Sequence, residues 1–321
     1  MKALIFNEFG GPEVLQYTEI PQPKIGDNDV LVEMKAIGLN YADIYRRKGN
    51  YHLVGEPPYI LGYEGAGIVV KAGKHITDIK EGDRIAFADV PHANAELVSV
   101  PYEKAIPIPE GVTFEHAASL LLQGLTAHYL VHDSYQVKEG DQVLIHAAAG
   151  GVGQLLTQLV TILGGTSIGL TSSMEKAEVA KSAGAKEVLL YNTSWSDKVK
   201  ELTAGEGADV VYESVGSTLM DSFQATRKGG TVVFYGMAGG DPEPVDPRML
   251  MDTSKTLTGG DLWNVLKTRE VRMERAAQLF QWLEEGKLQL ASPTLFTLKD
   301  GNKAHELLES RKSTGKIVLI P

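Results

Sequence analysis

Val143-Leu144-Ile145-His146-Ala147-Ala148-Ala149-Gly150-Gly151-Val152-Gly153 is the stretch whose reading decides the fold. Val143 to Ile145 has the length and branching of a short buried strand. Ala148 to Gly153 then turns the chain, and Gln154 to Leu163 follows with Leu155, Leu156, Leu159, Ile162 and Leu163 at helical spacing. Strand, glycine turn and helix are the setting of a dinucleotide fingerprint. A Cβ at Gly150 would stand in the way of a pyrophosphate, and Gly153 lets the helix pack against the strand. The positive end of that helix would face the phosphates, so Gly150, Gly151 and Val152 are candidates to hold them. Ala148 stands where the fingerprint has its first glycine, which leaves a turn without a ligand as the other reading.

Outward from this stretch the chain reads in two halves. Before about residue 110, short β signals lie at Ala3–Phe6, Val30–Ile37, Gly67–Val70, Arg84–Phe87 and Glu96–Val100, punctuated by Gly and Pro. They suggest a compact, barrel-like β domain. Glu115 to Leu130 reads as a helix with Thr113 as its cap. Strands and helices then alternate: Ile168–Leu170, Glu175–Ser182, Glu187–Tyr191, Ser196–Ala204, Asp209–Glu213, Leu219–Thr226 and Thr231–Tyr235, with Thr256–Thr258 as a sixth strand. This series implies an α/β fold with a doubly wound parallel sheet. Beyond Leu262 the alternation ends in helices at Arg272–Glu285 and Asn302–Glu309 and a strand at Lys316–Ile320. That tail has no core of its own, so residues 1–119 and 262–321 are expected to form one domain and 120–261 the nucleotide-binding one.

Bulk composition narrows the function classes. The 321 residues are 43% hydrophobic and 22% charged, as in ordinary globular enzymes. A net charge of -10 argues against a partner that is nucleic acid or an anionic membrane. With no cysteine there is no disulfide framework and no thiolate for zinc or catalysis. Met1–Glu8 turns polar too soon for a signal peptide, and no run reaches transmembrane length, so a cytoplasmic protein is expected. Asn192-Thr193-Ser194 has the spacing of a glycosylation sequon, which without secretion is chance.

Gly38-Leu39-Asn40-Tyr41-Ala42-Asp43, Gly49-Asn50-Tyr51, Leu61-Gly62-Tyr63-Glu64-Gly65-Ala66-Gly67, Gly82-Asp83-Arg84 and Gln123-Gly124-Leu125-Thr126-Ala127 occur in that order. His146 to Gly153, Ala183-Gly184-Ala185 and Arg311-Lys312-Ser313-Thr314-Gly315-Lys316 complete the set. Together they resemble the zinc-free branch of the medium-chain dehydrogenase/reductase superfamily, and within it the NADPH:quinone oxidoreductases that include zeta-crystallin. The resemblance covers the whole chain and implies a GroES-like β-rich domain beside a Rossmann domain. Alanine is common in that family where Ala148 stands.

The resemblance makes the missing zinc informative. Zinc-dependent relatives place a Cys near the position of Asn40 and a His at that of Tyr63, and neither residue here supplies such a ligand. His128 and His132 lie one helical turn apart, but the residues between them offer no general base, and core or surface histidines are the simpler reading. With no Lewis acid to polarise an alcohol, reduction of an activated acceptor is favoured.

Coenzyme choice follows from the end of the second strand. An NAD site carries a carboxylate there, whereas this chain reads Thr171-Ser172-Ser173 with Lys176 close behind. Hydroxyls and an ammonium suit the 2′-phosphate of NADPH; the less favoured alternative is an ordinary helix start capped by Ser172 or Ser173 beside a solvated Lys176. By resemblance, Tyr191 and Arg311 complete the adenosine phosphate site, and Asn40, Thr126, Ser214, Val215, Phe234, Gly236 and Met237 lie along the coenzyme. Val215 and Phe234 fit plain core packing as well. The resemblance also puts Asn40, Tyr45 and Tyr51 against the substrate. Tyrosine rings could stack on a planar quinone and their hydroxyls or the Asn40 amide could bond its oxygens, or both rings could pack at a domain edge.

The expectation is a zinc-independent transfer of hydride from NADPH to a quinone. Reduction of activated double bonds in enones or alkenals is the nearest alternative, and a crystallin-like protein that holds NADPH without turnover is another. RNA binding, known in the family, is disfavoured by the acidic balance. Relatives commonly dimerise through the edge of the Rossmann sheet, where Thr256–Thr258 would lie, so a homodimer is expected.

Overall fold

A computed structural model describes residues 1–191 and 194–321, so Asn192 and Thr193 of the sequon lie outside the described residues. In chain order the strands are β1 (Lys2–Phe6), β2 (Gln16–Glu19), β3 (Asp29–Leu39), β4 (Tyr59–Ile60), β5 (Glu64–Ala72), β6 (Arg84–Ala88), β7 (Leu97–Pro101) and β8 (Ile106–Pro107). They continue with β9 (Gln142–Ile145), β10 (Thr166–Thr171), β11 (Glu187–Leu190), β12 (Ala208–Glu213), β13 (Thr226–Phe234), β14 (Thr256–Gly259), β15 (Thr294–Thr297) and β16 (Ile317–Ile320). The helices are α1 (Tyr41–Arg47), α2 (Phe114–Tyr129), α3 (Gly151–Ile162), α4 (Met174–Ser182) and α5 (Trp195–Leu202). After them come α6 (Leu219–Ala225), α7 (Pro247–Thr253), α8 (Leu262–Val265), α9 (Arg269–Glu284) and α10 (Gly301–Glu309).

The chain divides into two compact units. One comprises Met1–Leu122, Leu266–Glu285 and Leu290–Pro321; the other comprises Gln123–Val265 and Gly286–Gln289.

In the first unit, β3 is the spine. It pairs antiparallel with β5, β7 and β16, and the sheet runs β15-β16-β3-β5-β6-β8. A smaller sheet, β2-β1-β4, lies beside it in the same unit. Alternation along β3 buries Val30, Val32, Met34 and Ala36, and the first three join Phe6, Val69, Phe87 and Leu319 in one core. Each such aliphatic or aromatic side chain contributes about 1.5–3 kcal/mol on full burial.

The second unit is a parallel sheet in the order β11-β10-β9-β12-β13-β14. Val143, Leu144 and Ile145 of β9 are all fully buried. A strand buried on both faces belongs in the middle of a helix-covered parallel sheet, which is why its sequence is a continuous apolar run. Chain order reverses on the two sides of β9, so loops leaving the carboxyl ends of β9 and β12 diverge and leave a crevice there.

Several elements are not where the pattern puts them. β13 begins at Thr226 rather than Thr231, because Arg227–Gly230 show no alternation, and a register shift against β12 falls at the same place. Tyr191 lies one residue beyond β11 rather than inside it. α2 stops at Tyr129 and a π-helical turn continues it from Leu130 to Ser134. Its expected cap holds: His116 N–H donates to Thr113 Oγ1 at 3.1 Å. β2, β4, β8, β15, α1, α7 and α8 are absent from the sequence reading, being short or polar on both faces.

Candidate functional site

In the second unit the loops after β9, β10, β11, β12 and β13 all leave the carboxyl edge of the one parallel sheet. The fingerprint residues Gly150, Gly151 and Val152 therefore share that edge with Ser172, Tyr191, Ser214, Val215, Gly236 and Met237. Gly150 is the N-cap of α3, and Gly151 and Val152 open its first turn. A Cβ on Gly153 would fall 2.4 Å from the Ala147 carbonyl oxygen, so the helix meets the loop as closely as the fingerprint demands. Ala147 itself is a non-glycine residue with φ of 48°.

β10 ends with Thr171 buried, Ser172 exposed and Lys176 half-buried. Ser173, not Ser172, caps α4, accepting the Lys176 N–H at 3.3 Å. The exposed Ser172 hydroxyl is thus not used as the cap. The loops after β12 and β13 are laced together: Tyr235 N–H donates to Glu213 O, Ala238 N–H to Ser214 O and Gly239 N–H to Val215 O at 2.7–3.0 Å. Phe234 packs into the sheet's core cluster, while Val215 stays half-buried outside that cluster. Thr126 is half-buried on α2.

Beneath these loops lies a polar cluster that the sequence reading missed. His146 and Glu213 are fully buried, with Nε2 to Oε2 at 3.3 Å. Glu213 also accepts Val215 N–H at 2.6 Å, Gly216 N–H at 3.1 Å, the Ser222 hydroxyl at 2.5 Å and the Thr218 hydroxyl at 2.8 Å. Burial alone would raise the Glu213 carboxyl, but His146 and these donors bring it below its ordinary value. Burial pushes the His146 imidazole down, against the opposing pull of the Glu213 carboxylate. Tyr191 stays protonated because burial raises its phenol further. Its oxygen accepts the Ala147 N–H at 3.0 Å and lies 3.1 Å from His146 Nδ1. A histidine directly after a predicted strand was the one sequence signal for this cluster.

The first unit carries Asn40, Tyr45, Tyr51 and Arg311. Asn40 is buried and precedes α1, where the Asp43 carboxylate accepts its N–H at 3.0 Å. Its amide donates to Glu64 at 2.9 Å and accepts from the Lys316 ammonium at 2.9 Å. Lys316 also meets Glu64 at 2.5 Å, and Glu64 takes the Leu122 N–H at 2.7 Å. The amide expected to bond a substrate is held in this buried triad. Tyr45 stands on α1 one turn after Tyr41, edge-on to it at 5.3 Å. Tyr51 lies 4.9 Å from the guanidinium of Arg46, which also covers the Tyr63 ring at 3.6 Å and donates to His52 O. Arg46 is fully buried and was not anticipated, since a basic residue in the last turn of a short helix reads as solvated. Arg311 is exposed with φ of 58°.

His128 and His132 pack with ring centroids 4.3 Å apart and planes tilted by 45°. Among the described residues no group of three or more His, Cys, Asp or Glu could hold a metal ion. Among them, too, no helix is long and apolar enough to cross a membrane.

Known proteins align over the whole chain. Residues 26–137 match the alcohol dehydrogenase GroES-like domain family and residues 151–281 the zinc-binding dehydrogenase family. A quinone oxidoreductase of Pseudomonas aeruginosa is 38% identical, over 100% of this chain and 99% of its own. A 2-haloacrylate reductase of a Burkholderia species is 36% identical, over 99% and 98%. The crystal structure of Escherichia coli quinone oxidoreductase complexed with NADPH superposes with a TM-score of 0.96 at 37% identity, each chain covered completely.

Proposed function

Because the chain belongs to the zinc-free medium-chain dehydrogenase/reductases, in the NADPH:quinone oxidoreductase family, we propose that it transfers a hydride from NADPH to a quinone. The observation that carries the reading is the end of β10. There an exposed Ser172 and a half-buried Lys176 stand where an NAD enzyme would carry a carboxylate. The chemistry of these donors fits a 2′-phosphate, and the Gly150–Val152 turn at the α3 N-terminus fits a pyrophosphate. Ser214, Val215, Gly236 and Met237 would line the rest of the coenzyme from the same sheet edge.

Bound NADPH would supply the hydride; the chain supplies position and exclusion of water. Tyr45 and Tyr51 would offer ring faces to a planar acceptor and hydroxyls to its oxygens, and the proton that completes the quinol would come from one of these phenols or from water. Arg46 orients Tyr51 through its guanidinium. Asn40 acts by fixing the start of α1 through Asp43, Glu64 and Lys316.

A second reading has its own support: the Burkholderia relative is a 2-haloacrylate reductase, so an activated carbon–carbon double bond is an alternative acceptor. The reading includes a cytoplasmic setting, in keeping with a cysteine-free chain. It also includes a homodimer through β14, the outer strand of the parallel sheet beside β13.

NADPH oxidation against a panel of 1,2- and 1,4-quinones, with enones in parallel and NADH as control, tests the assignment. Turnover of quinones with NADPH is expected. Turnover of enones alone would move the acceptor to the second reading, and tight NADPH binding without any turnover would reject an enzyme.

A further inference from the structure

Arg46 is among the largest fully buried side chains, and stability alone gives no reason for a charge there. It lies 3.4 Å from the Asp43 carboxylate, itself buried. Burial holds that carboxyl above its ordinary value in spite of Arg46 and the Asn40 N–H. A well-packed apolar pair in the same place would be as stable or more so. What distinguishes the guanidinium is its other neighbours. Nε donates to His52 O at 3.1 Å, and the cation stands 3.6 Å from the Tyr63 ring centre and 4.9 Å from that of Tyr51. Tyr63 is buried, whereas Tyr51 is half-buried and has a hydroxyl that an acceptor can reach. Tyr45 packs edge-on to another phenol, Tyr41, while Tyr51 packs on a cation. The other buried charges acting on Asp43 are Glu64 and Lys316, which meet at 2.5 Å and offset each other.

We propose that Arg46 is a positioning residue that acts through Tyr51: its fixed charge stabilises the oxyanion formed on a conjugated carbonyl acceptor whose oxygen the Tyr51 hydroxyl bonds. The proposal rests on the acceptor reading above, which sets Tyr51 against the substrate. Hydride transfer leaves NADP+ and moves an electron pair of the conjugated system onto a carbonyl oxygen. That oxyanion then takes a proton from the Tyr51 hydroxyl or from water. Quinones and enones both pass through such an oxyanion, so one buried cation serves either acceptor. In the interior its charge is little screened by solvent or salt.

The test is turnover of a series of 1,4-benzoquinones with different ring substituents, at saturating NADPH, with the dissociation constant for NADPH measured beside it. Asp43→Asn keeps the cation, and Asp43→Asn with Arg46→Met removes it without leaving a bare carboxylate in the core. From the first protein to the second, kcat is expected to fall about tenfold, less than for loss of a donor in direct contact. NADPH affinity is expected to stay the same. The fall should be largest for quinones whose reduced oxyanion is most basic, a gradient that a change in packing does not produce. Arg46→Lys keeps the charge but loses the planar fork, and is expected to retain most of the turnover. A lysine variant as slow as the paired one would make packing the whole effect and overturn the proposal. A loss of equal size for every quinone, or no loss, would overturn it as well. Arg46→Lys decides by itself if the paired variant does not fold. Tyr51→Phe separates the two levels of the argument. If turnover is unchanged, the acceptor reading of Tyr51 fails and the proposal falls with it. If Tyr51→Phe is slow while the paired variant turns over in full, the proposal alone fails.

Discussion

The methyl group of Ala148 occupies the space that Gly169 of the neighbouring strand leaves empty: a Cβ built on Gly169 would stand 2.9 Å from it. The fingerprint loop and β10 thus share one small void, and the glycine that the fingerprint lacks at Ala148 is present on the strand beside it. Ala148 N–H donates to Leu170 O at 3.0 Å, which keeps the two in register. Gly169→Ala should therefore cost about 1–3 kcal/mol of stability as overpacking. Ala148→Gly placed in the same chain should recover part of that loss. Urea melts of the two single variants and the double one would decide it; additive losses would remove the shared void.

Gly153→Ala meets backbone, not a side chain that can move aside. Its methyl would sit 2.4 Å from Ala147 O and 2.7 Å from Ala148 Cα, so the loop itself must shift. A drop of about 2 kcal/mol in stability is expected, together with a loss of dinucleotide affinity that fluorescence titration would detect. A variant with unchanged affinity would detach the loop from coenzyme binding.

Lys316→Met leaves the Glu64 carboxylate buried without its cation. The Asn40 amide and the Leu122 N–H remain, but they do not neutralise it. Breaking one side of a buried pair costs about 3–5 kcal/mol. Lys316→Met with Glu64→Gln should be less damaging than Lys316→Met alone, as chemical denaturation of the three proteins would reveal.

His305 gives stability an acid dependence. It is fully buried, with Arg47 donating to its Nδ1 at 3.1 Å. Burial, and then the Arg47 charge, lower its pKa to about 3. Between that value and the unfolded value of about 6.5 the unfolded chain binds the extra proton. Stability is therefore complete above the unfolded value and declines as pH falls toward 3, by up to about 1.4 kcal/mol per pH unit. His146, also lowered by burial, acts in the same sense. His305→Gln should flatten the slope of urea midpoint against pH between 6.5 and 4; an unchanged slope would contradict it.

Lys176→Ala should weaken NADPH several-fold and leave NADH nearly unchanged, because a solvent-screened ammonium–phosphate contact contributes about 1 kcal/mol. Raising the salt concentration should erase much of the difference. Equal loss of both coenzymes would take Lys176 away from the 2′-phosphate.

The parallel sheet was legible because its central strands are buried on both faces, so that Val143–Ile145 and Val210–Tyr212 stand out as short apolar runs between helical stretches. β2 was not, because Gln16-Tyr17-Thr18-Glu19 shows neither alternation nor a run. At the coenzyme edge, position along the chain was enough: residues that follow consecutive parallel strands must meet at one rim. The buried charges could not be read in the same way. Arg46, Glu64, His146 and Lys316 look like surface residues locally, and their partners are 3, 24, 67 and 252 positions away respectively. Only tertiary pairing makes their burial tolerable. Tyr191 shows the same gap, since a tyrosine at a strand end says nothing about which way its hydroxyl turns.

β16 has a consequence for biosynthesis. Ile317–Leu319 align with Ile37–Leu39 of β3, and Lys316 just before them closes the charge on Glu64. The β3 segment therefore waits for a segment synthesised some 280 residues later, roughly the separation of Ile37 and Leu319. While the ribosome is still translating, residues 1–122 have an open edge on β3 and a carboxylate with no counterion, whereas the parallel sheet from β9 to β14 is contiguous and can close as it emerges. Vectorial synthesis thus favours the nucleotide-binding unit as the earlier folding intermediate, and a nascent chain stalled before Lys316 would expose the β3 edge to proteases and chaperones.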